Sequence, residues 1–258
     1  MRARRRGRLV ALLVALLPSL AAGQVEIEAL SRDDPPVGLS GSLGGDVTAR
    51  TGNVDFISFD VRARMYRVSE TRTRLIQGNG GLGFLDRDRF ASSGLLHYRV
   101  GYTRVSRHFL PEWYAQINYD RPQQLAFRAV TGGGARTQFA RGAWGQFGAG
   151  TGLMLEREWL SLPDGAVHPE RTLNLRWNSF LTLRIVATET TVITSTTYVQ
   201  PAIGDFVDTR ALETLRLATS ITESLALSVS WDLRWDANPP DGLAALDTTL
   251  RTGVTYTY

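Results

Sequence analysis

Between residues 173 and 185 the chain repeats with period two: Leu173, Leu175, Trp177, Leu181, Leu183 and Ile185 alternate with Asn174, Arg176, Asn178, Thr182 and Arg184. The repeat returns in Leu225, Leu227, Val229, Trp231, Leu233 and Trp235 against Ser228, Ser230, Asp232, Arg234 and Asp236. Successive side chains of a strand point to opposite faces, whereas a 3.6-residue helical repeat would scatter both sets around its axis. Each strand therefore has one apolar and aromatic face and one face carrying ionised groups. A soluble sandwich does not keep that arrangement strand after strand with no helix between, but a strand between lipid and an aqueous lumen requires it.

The end of the chain has the same form. Leu246, Leu250, Val254, Tyr256 and Tyr258 share one face, and Asp247, Thr249, Arg251, Thr255 and Thr257 share the other. Within it, Arg251-x-Gly253-x-x-Tyr256-x-Tyr258 has the form of a barrel-assembly signal, a polar residue and a glycine followed by aromatics up to the terminus. The partners implied are outer-membrane lipid and, during biogenesis, periplasmic chaperones and the barrel-assembly machinery.

The other end reads as an export signal. Arg2, Arg4, Arg5, Arg6 and Arg8 precede an apolar run from Leu9 to Leu17, then Pro18 and the small residues Ser19, Ala21, Ala22 and Gly23. The run is about half of what a helix needs to cross a bilayer. Residues 1–23 are thus expected to be a cleaved signal peptide, 24–36 a periplasmic lead and 37–258 an outer-membrane β-barrel of a Gram-negative bacterium. The signal takes five of the 29 Lys+Arg residues with it and none of the 25 acidic ones, so the mature chain carries 24 − 25 = −1. A domain of that charge has no electrostatic basis for binding nucleic acid. The absence of cysteine excludes disulfides and thiolate metal sites.

Turn signals divide the remainder into about twelve segments, an even number as bacterial barrels require. They begin near Val37, Val54, Arg72, Arg89, Pro111, Leu125, Gly142, Arg171, Thr190, Phe206, Ser224 and Leu246. The expected architecture is an all-β transmembrane antiparallel up-and-down barrel, with a glycine-rich region from Leu125 to Leu160 that can be divided differently. If the last strand ends at the periplasm, the long connections 163–170 and 238–245 face outward, and the segment 106–111 is long for a periplasmic turn.

Gly78-x-Gly80-Gly81-x-Gly83 has the GxGxxG spelling, but a phosphate-cradling loop must open a helix, and here a further strand follows. Glycines within strands are expected to relieve curvature or make room for a large neighbour. Trp113, Tyr114, Tyr119, Trp144, Trp159, Trp177, Trp231, Trp235, Tyr256 and Tyr258 are read as an interfacial girdle. Asp60, Arg62, Arg64, His97, Arg99, Asp120, Arg176, Arg184, Asp232 and Arg234 are the lumen-lining candidates. Their mixed signs argue against a strong field for one ion sign and allow pairing across the lumen. A plugged structural barrel and a narrow small-solute pore both remain open, and a monomer is expected. His97 with Asp60 or Asp120 is the one combination that would allow a membrane-embedded lipid hydrolase; no local sequence supports it, and nothing calls for a cofactor or metal.

Taken together, Trp113-Tyr114, Tyr119-Asp120-Arg121, Arg128 and the glycines from Gly132, with Trp235-Asp236-Ala237-Asn238-Pro239-Pro240 and Asp247-Thr248-Thr249-Leu250, resemble the domain of unknown function 481 family, the salt-induced outer-membrane proteins. The resemblance spans about residues 36–258 and departs at Pro122 and at Ala135-Arg136. It implies an outer-membrane barrel and a link to salt or envelope stress, and transfers no activity or catalytic residue.

Overall fold

The protein is represented by a computed structural model that describes residues 35–50, 56–85, 88–103 and 109–257. The signal segment, most of the lead, the turn at 51–53, His108 and Tyr258 lie outside the described residues. Twelve strands follow one another: β1 (Gly38–Arg50), β2 (Phe56–Val68), β3 (Arg72–Leu85), β4 (Asp88–Tyr102), β5 (Leu110–Asp120), β6 (Leu125–Gly142), β7 (Gly145–Leu160), β8 (Arg171–Val186), β9 (Thr191–Ala202), β10 (Asp205–Ser220), β11 (Leu225–Asp236) and β12 (Leu246–Thr257). Each pairs antiparallel with its sequence neighbours, and β12 pairs with β1, closing the sheet. The shortest strand has 11 residues, enough to cross a hydrocarbon core when tilted.

The glycine-rich region divides into two long strands joined by the two residues between Gly142 and Gly145. Gly145 has φ 138°, and a Cβ there would overlap the backbone of Arg184, so only glycine fits where β7 leaves the turn beside β8. The closing ladder is short among the described residues, running from Ser42↔Thr257 to Gly45↔Val254. By contrast, β11 and β12 pair from Leu225↔Tyr256 to Trp235↔Leu246.

Burial is inverted relative to a water-soluble domain. Among the described residues, 22 buried side chains are polar or charged and 11 are apolar. Leucine, isoleucine and valine side chains such as Leu96, Ile117, Leu155, Leu175 and Val229 are exposed on the outer face. In water that surface would forfeit about 25 cal/mol for each Å² of apolar area left uncovered; against lipid it forfeits nothing. The period-two pattern and its inside-out burial are therefore one property, a membrane-facing exterior around a polar interior.

Charged outward exceptions are locally compensated. Glu213 on β10 accepts hydrogen bonds from Ser195 Oγ, at 2.7 Å, and from Thr197 Oγ1 on β9. The Arg157 guanidinium lies 4.8 Å from the Trp159 ring centroid near the end of β7, where a long cationic side chain reaches the interface. Phe127 packs on Trp159 with centroids 5.4 Å apart at the same end. One girdle assignment needs correction. Tyr114 is 2% exposed and faces the lumen, because even-numbered positions of β5 point inward and Trp113 beside it takes the outward position.

Candidate functional site

The barrel has a terminal rim, where β1 begins and β12 ends, and a far rim carrying the β5–β6, β7–β8 and β11–β12 connections. All of the lumen-lining candidates lie on the inward register, on β2, β4, β5, β8 and β11. They do not form one site. Going down from the far rim, the interior holds a loop lid, a charged bundle, an aromatic layer and a chamber.

The lid is laced across the mouth. The chain turns after β5 in a short 3-10 helix, Arg121–Gln123, and Gln124 follows at φ 53°, the one non-glycine with positive φ among the described residues. Gln123 Nε2 donates to Asp247 Oδ2 at 3.0 Å and Gln124 Nε2 to the Asp241 carbonyl at 3.1 Å. The loop 161–170 joins from the side: the Ser161 N–H donates to the Gln124 carbonyl at 2.7 Å and the His168 N–H to Asp241 Oδ2 at 2.6 Å. Arg234 lines a cavity of about 50 Å³ beneath this lid, with Gln123, His168 and Asp236.

Below the lid, Glu156 and Glu158 point inward from β7 between three arginines. Arg176 Nε donates to Glu156 Oε1 at 2.9 Å, and Arg210 Nη1 to the same oxygen at 2.8 Å. Arg210 Nη2 donates to Glu158 Oε2 at 3.1 Å, and Arg128 bonds the other Glu158 oxygen. Asp208 holds Arg176 at 3.1 Å and Asp236 holds Arg210 at 2.8 Å. The bundle carries three positive and four negative charges, −1 formally. Arg210 on β10 reaches β7, so these pairs tie wall segments three strands apart as well as neighbours. Buried ions offset their desolvation only when geometry is good and their donors and lone pairs are satisfied; forked arginines meeting shared carboxylates meet most of that requirement, with Arg128 Nη1 left without a partner among the described residues.

The aromatic layer lies against the bundle: Tyr114, Val130, Met154, Phe180, Tyr198 and Leu212, one from each of β5 to β10, all 0–5% exposed. Asn178 Nδ2 donates to Tyr114 Oη at 3.0 Å, a bond from β8 to β5, and Gln200 Nε2 donates to Asn178 Oδ1 at 2.9 Å. Glycines admit the rings. A Cβ on Gly132 would overlap the Tyr114 ring and lie 2.8 Å from the Leu153 carbonyl oxygen, and one on Gly150 would meet Phe180. Gly132→Ala is accordingly expected to destabilise the barrel by about 1–3 kcal/mol through overpacking, read as a lowered urea midpoint of the refolded protein; an unchanged midpoint would remove the assigned role of that glycine.

Of the other candidates, Arg99, Asp232 and His97 have local partners. Arg99 Nη1 lies 3.7 Å from Glu112 Oε2. Asp232 accepts from Thr214 Oγ1 at 2.7 Å and pairs with Arg251, so an arginine of the terminal motif also contributes to the interior, whereas Tyr256 stays outward and exposed. His97 is fully buried, its Nδ1 3.2 Å from Gln116 Oε1 and its ring stacked 6.1 Å from that of Tyr114. In register it faces Gln77 on β3 and Gln116 on β5.

Arg64 and Arg184 lie in the chamber at the terminal rim, a cavity of about 590 Å³ shared with Arg141, Arg216, Tyr66 and Glu223. The mixed signs of the lumen-facing residues are thus separated along the axis, balanced near the far rim and cationic near the terminal rim.

Sequence reasoning misses Arg128, Glu156, Glu158, Asp208 and Arg210 as lumen residues. A signal exists: Glu156 and Glu158 share one face, with Leu155, Arg157 and Trp159 on the other. It lay within the segment whose division into strands was ambiguous. The residues behind the family resemblance also converge here. Tyr114 and Arg128 belong to the aromatic layer and bundle, Asp236 holds Arg210, and Asp247 anchors the lid.

Comparison with solved structures finds an outer-membrane channel from Pseudomonas putida F1 with 10% identity, 91% of this chain and 100% of that one covered, and a TM-score of 0.50. The NanC porin has 8% identity over 84% and 98% of the two chains, with a TM-score of 0.48. The translocator domain of the autotransporter NalP from Neisseria meningitidis has 13% identity over 90% and 91%, with a TM-score of 0.46. At these identities the channel from Pseudomonas putida shares the barrel fold, and no more is carried over. A search of curated proteins finds no match. The profile of the family described as protein of unknown function, DUF481, matches residues 42–258, nearly the whole barrel, and the chain belongs to that family.

Proposed function

We propose that this protein is an outer-membrane conduit for small solutes that is closed at rest, with its far rim outside the cell and its terminal rim in the periplasm. The observation that carries the reading is the axial asymmetry of the lumen. The far half is filled by lid, bundle and aromatic layer, while the terminal half keeps a chamber of about 590 Å³. A barrel serving only as a structural element gains nothing from such a chamber, which forgoes the packing contacts that a filled interior would make. Filling by ion pairs also makes a suitable closure, because such pairs can exchange partners without exposing apolar surface. Outward placement of the far rim agrees with its longer connections, and export through a cleaved signal and folding by the assembly machinery belong to the same reading.

A lipid-hydrolase reading finds little support in the geometry. His97 is enclosed by Gln116 and Tyr114 inside the lumen, away from the outer face where lipid lies. Planar-bilayer recording of the refolded mature protein tests the conduit. Infrequent discrete openings are expected from the native chain, and steady steps once the aromatic layer is thinned. Silence from both, in protein shown to be folded by heat-modifiable gel migration, would leave the structural barrel as the answer.

A further inference from the structure

We infer that the terminal chamber is a binding site for a small soluble polyanion, a molecule carrying two or more carboxylate or phosphate groups. Among the described residues its charged lining is four arginines, Arg64, Arg141, Arg184 and Arg216, against one acid, Glu223, a formal +3. The bundle above holds a similar number of charges at −1, so the excess is peculiar to the chamber. A concave wall of low polarisability focuses that field onto whatever occupies the space.

The arrangement suits separated anionic groups better than a single ion. Arg184, Thr194 and Arg216 lie in register across β8, β9 and β10, which places the two arginine backbones about 10 Å apart at ordinary strand spacing. Arg64 approaches from β2, in register with Ser42. Guanidinium groups bind carboxylate and phosphate through two parallel N–H bonds, so wall arginines at this spacing hold two such groups at once. Arg216 Nη2 donates to Thr255 Oγ1 at 3.2 Å, and Thr194, in register between the two arginines, also lines the chamber. The volume lies within the range of small-molecule sites. The lining comes from inward positions and turns of the barrel, so access is along the axis from the aqueous phase, not through the wall from lipid.

This inference deepens the conduit reading by naming a ligand class, but binding needs no conduction, and the two fail separately. Calorimetric titration of citrate and of pyrophosphate into the full-length mature barrel, in a non-ionic detergent at low ionic strength, is expected to show saturable binding of at least one of them. Arg184→Gln with Arg216→Gln should weaken it roughly tenfold, as should about 0.5 M salt, while a neutral sugar of similar size gives no binding. Arg64→Gln serves as the second variant if the double variant fails the heat-modifiability check. No binding of either anion by folded native protein, or an affinity indifferent to these arginines, would overturn the site whatever the bilayer recordings show.

Discussion

Arg210→Met is expected to destabilise the folded barrel by about 3–5 kcal/mol, the cost of removing one member of a buried ion network. Arg210 touches Glu156, Glu158 and Asp236. Without it the bundle goes from −1 to −2, with two carboxylates facing each other along β7. Arg128 reaches both glutamates, with its Nε 3.4 Å from Glu156, but Arg176 is also held by Asp208 and by the Gln200 carbonyl, so two guanidinium groups would be left to serve four carboxylates. Water entering the vacated space brings the cost toward the lower bound. Combining Arg210→Met with Glu158→Gln removes one charge of each sign and should recover half or more of the loss, since the penalty arises from uncompensated charge and not from lost volume. Urea unfolding followed by tryptophan fluorescence, with gel migration as the check on folding, measures both variants. A cost below about 0.5 kcal/mol for the single variant would mean that the bundle is solvated and not a closure.

Tyr114→Ala combined with Phe180→Ala should convert a nearly silent barrel into a steady conductor, with mean conductance up roughly tenfold or more. Both rings point into the lumen and are 2% and 5% exposed. Tyr114 is the residue through which β5 and β8 meet by way of Asn178. Beside them Gly132 and Gly150 carry no side chain that could refill the gap. Such truncations cost about 3–5 kcal/mol each in a packed core, but on β8, β9 and β10 the layer lies four residues from the chamber lining, with Thr182, Thr196 and Thr214 between, so water from the chamber can reach the space and the barrel ladders remain. The paired single variants separate the contributions: the Tyr114 change also removes the cross-lumen bond, whereas the Phe180 change removes volume alone. Where the native chain shows its infrequent openings, a folded double variant that conducts no better would place the closure in the lid and bundle.

The outer surface was readable to the residue because its rule is local. Whether Leu175 or Arg176 faces lipid depends only on parity along β8, and the structure places them on opposite faces. Strand starts also fell close to their observed positions, since turns interrupt the alternation; the largest shift, Gly142 to Gly145, came where glycine erased the pattern. Tyr114 was misassigned for a different reason. Side-chain type suggested the interface, while parity with Trp113 required the lumen, and parity decides when the two conflict.

Parity states that Arg176, Glu156 and Arg210 point inward, but they come from β8, β7 and β10, and their meeting depends on ladder register and strand tilt around a closed sheet. Period-two patterning carries no information about the offset between one strand and the next beyond its sign on each face. The barrel, its lipid-facing set and the polar character of its interior are all legible in residue parity along the chain. That the charges separate along the axis into a nearly balanced bundle and a cationic chamber follows from the fold alone, because axial position is set by register summed over all twelve strands.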